Sequence, residues 1–157
     1  MIQRVQSVFL FVLGTCMILS LLFTSWQKTN SSTQEQVTLN AFYMNYMKGG
    51  QLISSKPTFY IAILVVASAL VAFYSISRFK NRLLQIKLGA LNSLLMAGVL
   101  GLTLWISRQG EEVFTQPQYG TYSLGLYLPI VAMICNILAN RFIRRDENLV
   151  RSADRMR

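Results

Sequence analysis

Three stretches of the chain, 5–26, 59–76 and 88–106, carry no charged side chain, and a fourth, 124–143, carries only Arg141 near its end. Each is about long enough to cross a hydrocarbon core of roughly 30 Å at about 1.5 Å of rise per residue. Lipid leaves no water to satisfy an open backbone, so each run is expected to be a helix. The pattern predicts helices over about 5–26, 58–76, 86–106 and 124–143. The fold class expected is membrane all-α: a four-helix transmembrane bundle, both termini cytoplasmic, with a small antiparallel β-sheet formed by the outer loops. The chain 1–157 is expected to be a single four-span membrane domain.

The polar intervals are patterned as well. Residues 27–57 form the first outer loop. It opens on Lys28-Thr29-Asn30-Ser31-Ser32-Thr33-Gln34, a flexible-loop composition. Residues 37–46 are rich in β-branched and aromatic side chains and alternate in part, which reads as a strand. Gly49-Gly50 is a turn signal, and 51–55 is the expected return strand. The second outer loop, 107–123, offers short strand segments at 112–115 and 119–122. The two loops are expected to fold on each other, since an isolated hairpin is marginal in water.

The first run also admits a signal-peptide reading. It is longer than the usual apolar core of about 7–15 residues, and no A-x-A-like cleavage site follows. Leu13-Gly14-Thr15-Cys16 matches a lipoprotein box only loosely, because Thr15 is a poor residue before the cysteine. Retention as a first membrane helix is expected, with Trp26 in the outer interfacial belt.

Charge fixes the expected orientation. The link between the second and third runs carries Arg78, Lys80, Arg82 and Lys87 and no acid. With Arg4 and Arg141, Arg144, Arg145, Arg151, Arg155 and Arg157, that side holds eleven cations against four (Lys28, Lys48, Lys56, Arg108) on the other. By the positive-inside rule both termini are expected on the cytoplasmic side. In the tail, 144–157, Phe142, Leu149 and Met156 recur every seven residues, so helical structure is expected to continue or resume there. Arg78, Lys80, Arg82, Lys87, Arg144, Arg145, Leu149, Arg151 and Arg155 are the candidate contacts to anionic headgroups or to a partner.

Composition narrows the chemistry. Apolar residues make up 53% of the 157 and charged residues 13%, too lopsided for an ordinary soluble domain. The net charge of +9 flanks apolar runs instead of covering a surface, so nucleic acid is not an expected partner. There is no His, the commonest general base and metal ligand at neutral pH. Cys16 and Cys135 both sit inside apolar runs and read as packing residues. Glu111 and Glu112 are adjacent, and in a strand they would point to opposite faces. No ionisable group lies deep in a run, where one would mark an ion pathway. Asn92 and Asn136 are candidate interhelical polar contacts between the third and fourth helices. Gly98 and Gly101, with Ala90 and Ala97, offer the third helix a small-residue face for close contact. No catalytic residue, metal site or cofactor is expected.

The opening Met1-Ile2-Gln3-Arg4-Val5-Gln6-Ser7-Val8-Phe9-Leu10 and the closing stretch from Ala139-Asn140-Arg141-Phe142 through Arg144-Arg145-Asp146-Glu147-Asn148-Leu149 to Ser152-Ala153-Asp154-Arg155 resemble a domain-of-unknown-function family of small four-span inner-membrane proteins of Bacteroidota. That resemblance covers the whole chain. It implies location and topology and supplies no activity. The architecture also weakly resembles that of claudins, four spans with a β-forming first outer loop, but the Trp and Cys signature of that loop is absent. The functional expectation is therefore a non-enzymatic accessory or scaffold subunit of a larger membrane assembly. The alternative is a small transporter or a lipid- or quinone-binding protein with a cavity lined by Asn92, Trp105, Tyr127 and Asn136.

Overall fold

The computed structural model describes residues 2–78, 81–113 and 119–155. In chain order the elements are α1 (Ile2–Ser20), β1 (Trp26–Asn30), β2 (Glu35–Leu39), β3 (Tyr43–Lys48), β4 (Gln51–Pro57), α2 (Phe59–Ser77), α3 (Arg82–Glu111), β5 (Thr121–Tyr122) and α4 (Leu124–Arg155). Three helical segments are long and apolar enough to cross a membrane: Phe59–Ser77, Arg82–Glu111 and Leu124–Leu149. The first helix contributes a shorter apolar segment, Val5–Ser20.

The helices pack in a ring, α1 on α2, α2 on α3, α3 on α4 and α4 on α1, with the α1–α4 seam the most extensive. Leu13, Met17, Val65, Ala69, Met96, Val99 and Ala132 fill the centre. Close approach is made by small residues: Gly14 lies under the Phe73 ring, and Gly89 lies under the Asn140 side chain. Gly101 has nothing near it and Gly98 touches only Leu64, so the tight point of α3 is at Gly89, not on the Gly98–Gly101 face. The reason is Asn140, whose amide fills the space a Cβ would need.

All five strands lie at one end of the bundle, in the order β4-β3-β2-β1-β5, each pair antiparallel. This end holds the C-termini of α1 and α3 and the N-termini of α2 and α4. The opposite end holds the α2–α3 link, where Asn81 caps α3 by accepting from the Leu84 amide at 3.1 Å. Register places Trp26 beside Leu39, Lys28 beside Val37 and Asn30 beside Glu35 on one face, and all six are buried. The hairpin turn at Gly49-Gly50 has φ of +57° and +80°, the pair of positive angles a two-residue turn of right-handed twist requires.

Several boundaries differ from the expectation for identifiable reasons. The first helix stops at Ser20, not at 26, because Trp26 is drawn into β1. Its indole is 1% exposed, packed against Gly110 and Gly120 instead of lying in an interfacial belt. Residues 28–30, read as part of a flexible loop, belong to β1, the strand that joins both outer loops, pairing β2 on one side and β5 on the other. The single strand expected at 37–46 is two strands, turned at Asn40, whose amide donates to the Tyr43 carbonyl at 2.9 Å. In the second loop, Glu112 and Val113 form a turn after α3, and the remainder of 112–115 lies outside the described residues. The third helix begins at Arg82, earlier than expected, and α4 runs without interruption through Arg155.

Candidate functional site

Two groups of polar side chains occupy defined places in this fold. The first is the junction between sheet and bundle. Lys28 projects from the inner face of β1 and reaches the last residue of α3: its Nζ lies 2.9 Å from Glu111 Oε2 and donates to the Glu111 carbonyl at 3.0 Å. The other carboxylate oxygen, Oε1, accepts from the Gly120 amide at 2.6 Å. One cation thus offsets both a carboxylate and the carbonyl end of a long helix, a place where negative charge is otherwise unfavourable. Glu111 is therefore engaged in holding the two loops together. It is not half of an acid–base pair with Glu112, the C-cap of α3.

Farther out on the sheet, Glu35 collects Lys48 Nζ at 2.9 Å, Thr33 Oγ1 at 2.9 Å and Tyr46 OH at 3.0 Å. The Lys48 hydrogen bond, followed by those from Thr33 and Tyr46, holds its carboxyl below the usual range. Tyr46 is pushed up, by burial first and then by its bond to Glu35.

The second group runs through the bundle. Ser68 on α2 donates to Asn92 Oδ1 on α3 at 2.5 Å. Asn136 Nδ2 on α4 donates to the Gly89 carbonyl at 2.9 Å and to Ser93 Oγ at 2.8 Å. The two asparagines therefore bond to different neighbours, α2 for Asn92 and α3 for Asn136, and not to each other. Nearer the link, Gln85 Nε2 donates to the Ser75 carbonyl at 2.9 Å. Each bond satisfies one end of an amide in an apolar interior, while the other end, Asn92 Nδ2, Asn136 Oδ1 or Gln85 Oε1, is buried without a hydrogen-bond partner among the described residues.

The cavity expected from Asn92, Trp105, Tyr127 and Asn136 does not assemble. Both asparagines are sealed in the core, while Trp105 is 60% and Tyr127 52% exposed on the outer surface. The asparagines are turned inward by bonds to Ser68, Gly89 and Ser93 on neighbouring helices. Among the described residues no three His, Cys, Asp or Glu side chains gather as metal ligands.

The chain belongs to the family described as Domain of unknown function (DUF4293). Its family model matches residues 2–156, nearly the whole chain. No curated protein matches at a significant level. That family carries no assigned activity, so every site residue must be judged on its geometry alone.

The basic candidates then divide. Arg78 is exposed and donates to Tyr74 OH at 3.1 Å, with its guanidinium 5.3 Å from that ring's centroid. Arg82 is committed to α4, with Nη2 3.0 Å from Asp146 Oδ2 and Nη1 donating to the Asp146 carbonyl at 3.1 Å. Lys87 is exposed on α3. Lys80 lies outside the described residues, and Arg151 and Arg155 lie on α4 with side chains outside them. Arg144, Arg145 and Leu149 stand exposed on α4 and line one hollow, together with Arg141 and Asn148. Arg141 and Asn148 were not among the contacts expected from the sequence. Their spacing from Arg144 and Arg145, at i, i+3, i+4 and i+7, is the signal that places all four on one helical face. Asn140 packs on Gly89.

Proposed function

We propose that the chain is a four-span inner-membrane protein with both termini in the cytoplasm, serving as a non-enzymatic accessory or scaffold subunit of a larger membrane assembly. Supporting the topology are three long apolar helices, a basic link, and a polar sheet at the bundle end opposite that link. The observation that carries the scaffold reading is β4. It is the edge strand of the sheet, and all seven of its residues are exposed, including the apolar Leu52 and Ile53. An open edge with apolar side chains is a ready template for a partner's extended segment. The buried polar groups support the same reading, since they are engaged in helix–helix bonds instead of lining a path. Crosslinking in native membranes followed by mild-detergent purification is expected to recover a stoichiometric protein partner bound through residues 51–57. Recovery of monomer alone, from native membranes as well, would overturn the proposal.

One observation favours a second reading, a protein that holds a lipid or quinone tail. A hollow of about 470 Å³ runs along the outer face of α2, lined by Phe42, Phe59, Ile63, Val66 and Leu70, with almost no polar surface. Native mass spectrometry that finds a retained quinone lost on Ile63→Trp would favour this reading over the first.

A further inference from the structure

The end of the bundle away from the sheet carries an amphipathic groove on the outer face of α4. Arg141, Arg144, Arg145, Asn148 and Leu149 line a hollow of about 580 Å³. A second hollow of about 330 Å³ is lined by Ile137, Asn140, Arg141 and Arg144. Sharing Arg141 and Arg144, the two are parts of one groove. At about 100° per residue, Ile134, Ile137, Arg141, Arg144, Arg145 and Asn148 fall within about 100° of arc. Asp146 and Glu147 fall outside that arc. Asp146 is turned toward α3, where it pairs with Arg82 at 3.0 Å.

The groove therefore has a polar half and an apolar half in a fixed order. Its cationic part occupies the last turns of the apolar segment Leu124–Leu149. Its other part continues toward the middle of that segment, where Ile137 and Ile134 are exposed. Arg141 and Arg145 are four residues apart, about 6 Å along the axis, with Arg144 between them. Guanidinium groups spaced this closely grip a phosphate by paired N–H donors, while the Asn148 amide, on the side away from the isoleucines, is placed for the headgroup beyond the phosphate. The isoleucines extend the site in the direction an acyl chain would run.

We propose that this groove is a specific site for an anionic glycerophospholipid of the cytoplasmic leaflet, with the phosphate at Arg141, Arg144 and Arg145 and one acyl chain along Ile137 and Ile134. The occupant is a membrane lipid and not a soluble anion, because the cations open directly onto the apolar half. Of the link's arginines, Arg82 is held by Asp146, and Arg78 rests on Tyr74. The inference rests on the membrane reading above.

Three proteins decide it: the wild-type chain, R141Q/R144Q/R145Q, and the control R78Q/K87Q, which removes exposed charge elsewhere at the same end. Each is purified in mild detergent, stripped of lipid, and incubated with equal amounts of phosphatidylglycerol, cardiolipin and phosphatidylethanolamine. Native mass spectrometry then counts the lipids retained. Wild type is expected to hold the anionic lipids about tenfold or more over phosphatidylethanolamine. The triple variant is expected to lose that preference, and the control to stay within about twofold of wild type. The single variant R145Q, with a smaller loss in the same direction, serves if the triple variant does not fold. Retention unchanged in the triple variant, or an equal loss in the control, overturns the site. Inorganic phosphate binding as tightly as the lipid overturns it in favour of a soluble anion. Resistance of the wild-type protein to carbonate extraction separates the two levels. Release by carbonate overturns the membrane reading and this site together, whereas a carbonate-resistant protein that retains no anionic lipid overturns only the site.

Discussion

Replacing Gly120 by alanine tests the join between sheet and bundle with one methyl group. A Cβ at that position would meet the Trp26 indole at Cζ2, Cε2 and Nε1, all inside contact distance. Trp26 has no room to retreat: it is 1% exposed, and on another side a Cβ on Gly110 would lie only 2.6 Å from Cζ3 of the same ring. Forcing a methyl group into a filled site costs about 1–3 kcal/mol. Alanine also stiffens the unfolded chain, which favours the fold by about 0.4–1 kcal/mol. The steric cost wins, so G120A is expected to be less stable by about 1–2 kcal/mol, roughly a 5- to 30-fold shift in the unfolding equilibrium. Trp26→Phe removes the fused ring atoms that the methyl would strike. The double variant W26F/G120A is therefore expected to be more stable than the sum of the single effects by about 1 kcal/mol. Reversible unfolding in mild detergent, followed by far-ultraviolet circular dichroism, reads all four proteins on one scale. A G120A protein as stable as wild type, or single effects that simply add, would refute the packing described for Trp26.

Lys28→Met removes the cation that serves both the Glu111 carboxylate and its carbonyl; the expected loss is about 1–3 kcal/mol, less than for a fully buried pair because the Glu111 side chain is 26% exposed. Lys28→Met/Glu111→Gln should recover part of it in the same unfolding assay. Asn136→Leu removes the interhelical donor to the Gly89 carbonyl and Ser93 hydroxyl, which keep only their own bond at 3.0 Å within α3, with an expected cost of about 0.6–1.7 kcal/mol and a looser α3–α4 seam by disulfide-trapping rates. Because the Glu35 carboxyl is held below its unfolded value, its contribution is present above about pH 4.3 and is lost as pH falls through the lowered folded value. Amide exchange in β2 and β3 should therefore lose protection on acidification in wild type, after correction for intrinsic rates, and lose less in Glu35→Gln.

The long elements were legible because their cause is local. Apolar runs of this length in α2, α3 and α4, uncharged but for Arg141, leave the backbone few alternatives, and the Gly49-Gly50 turn demands positive φ that glycine supplies. The seven-residue recurrence through Leu149 likewise marked α4 as continuing beyond its apolar part. What escaped was set by partners far along the chain. Trp26 looked like a helix end because one of its two strand partners, Tyr122, lies far along the chain, beyond α2 and α3, and the other, Leu39, sits in a strand whose pairing with 26–30 leaves no local signal. Lys28 read as one more outer cation until Glu111 supplied its reason for burial. Asn92 and Asn136 were visible as polar residues in apolar runs, but Ser68 as the partner of one, and Gly89 and Ser93 as partners of the other, depend on helix rotation that composition does not encode. The α4 groove was half seen: the arginines stood out by charge, while Asn148 and Ile137 gain meaning only from the face they share.

The hairpin between β3 and β4 stands apart from the rest of the sheet in one respect that matters for handling the protein. Nothing approaches within 4 Å of the positions where Cβ atoms would sit on Gly49 or Gly50, and every residue of β4 is exposed. The second outer loop is the reverse, with Gly120 wedged on Trp26 and its amide bonded to Glu111. Length can therefore be added to the chain at the hairpin tip, as an epitope or a small inserted domain, without disturbing the helices. The same addition beside Gly120 would prise the sheet from the bundle.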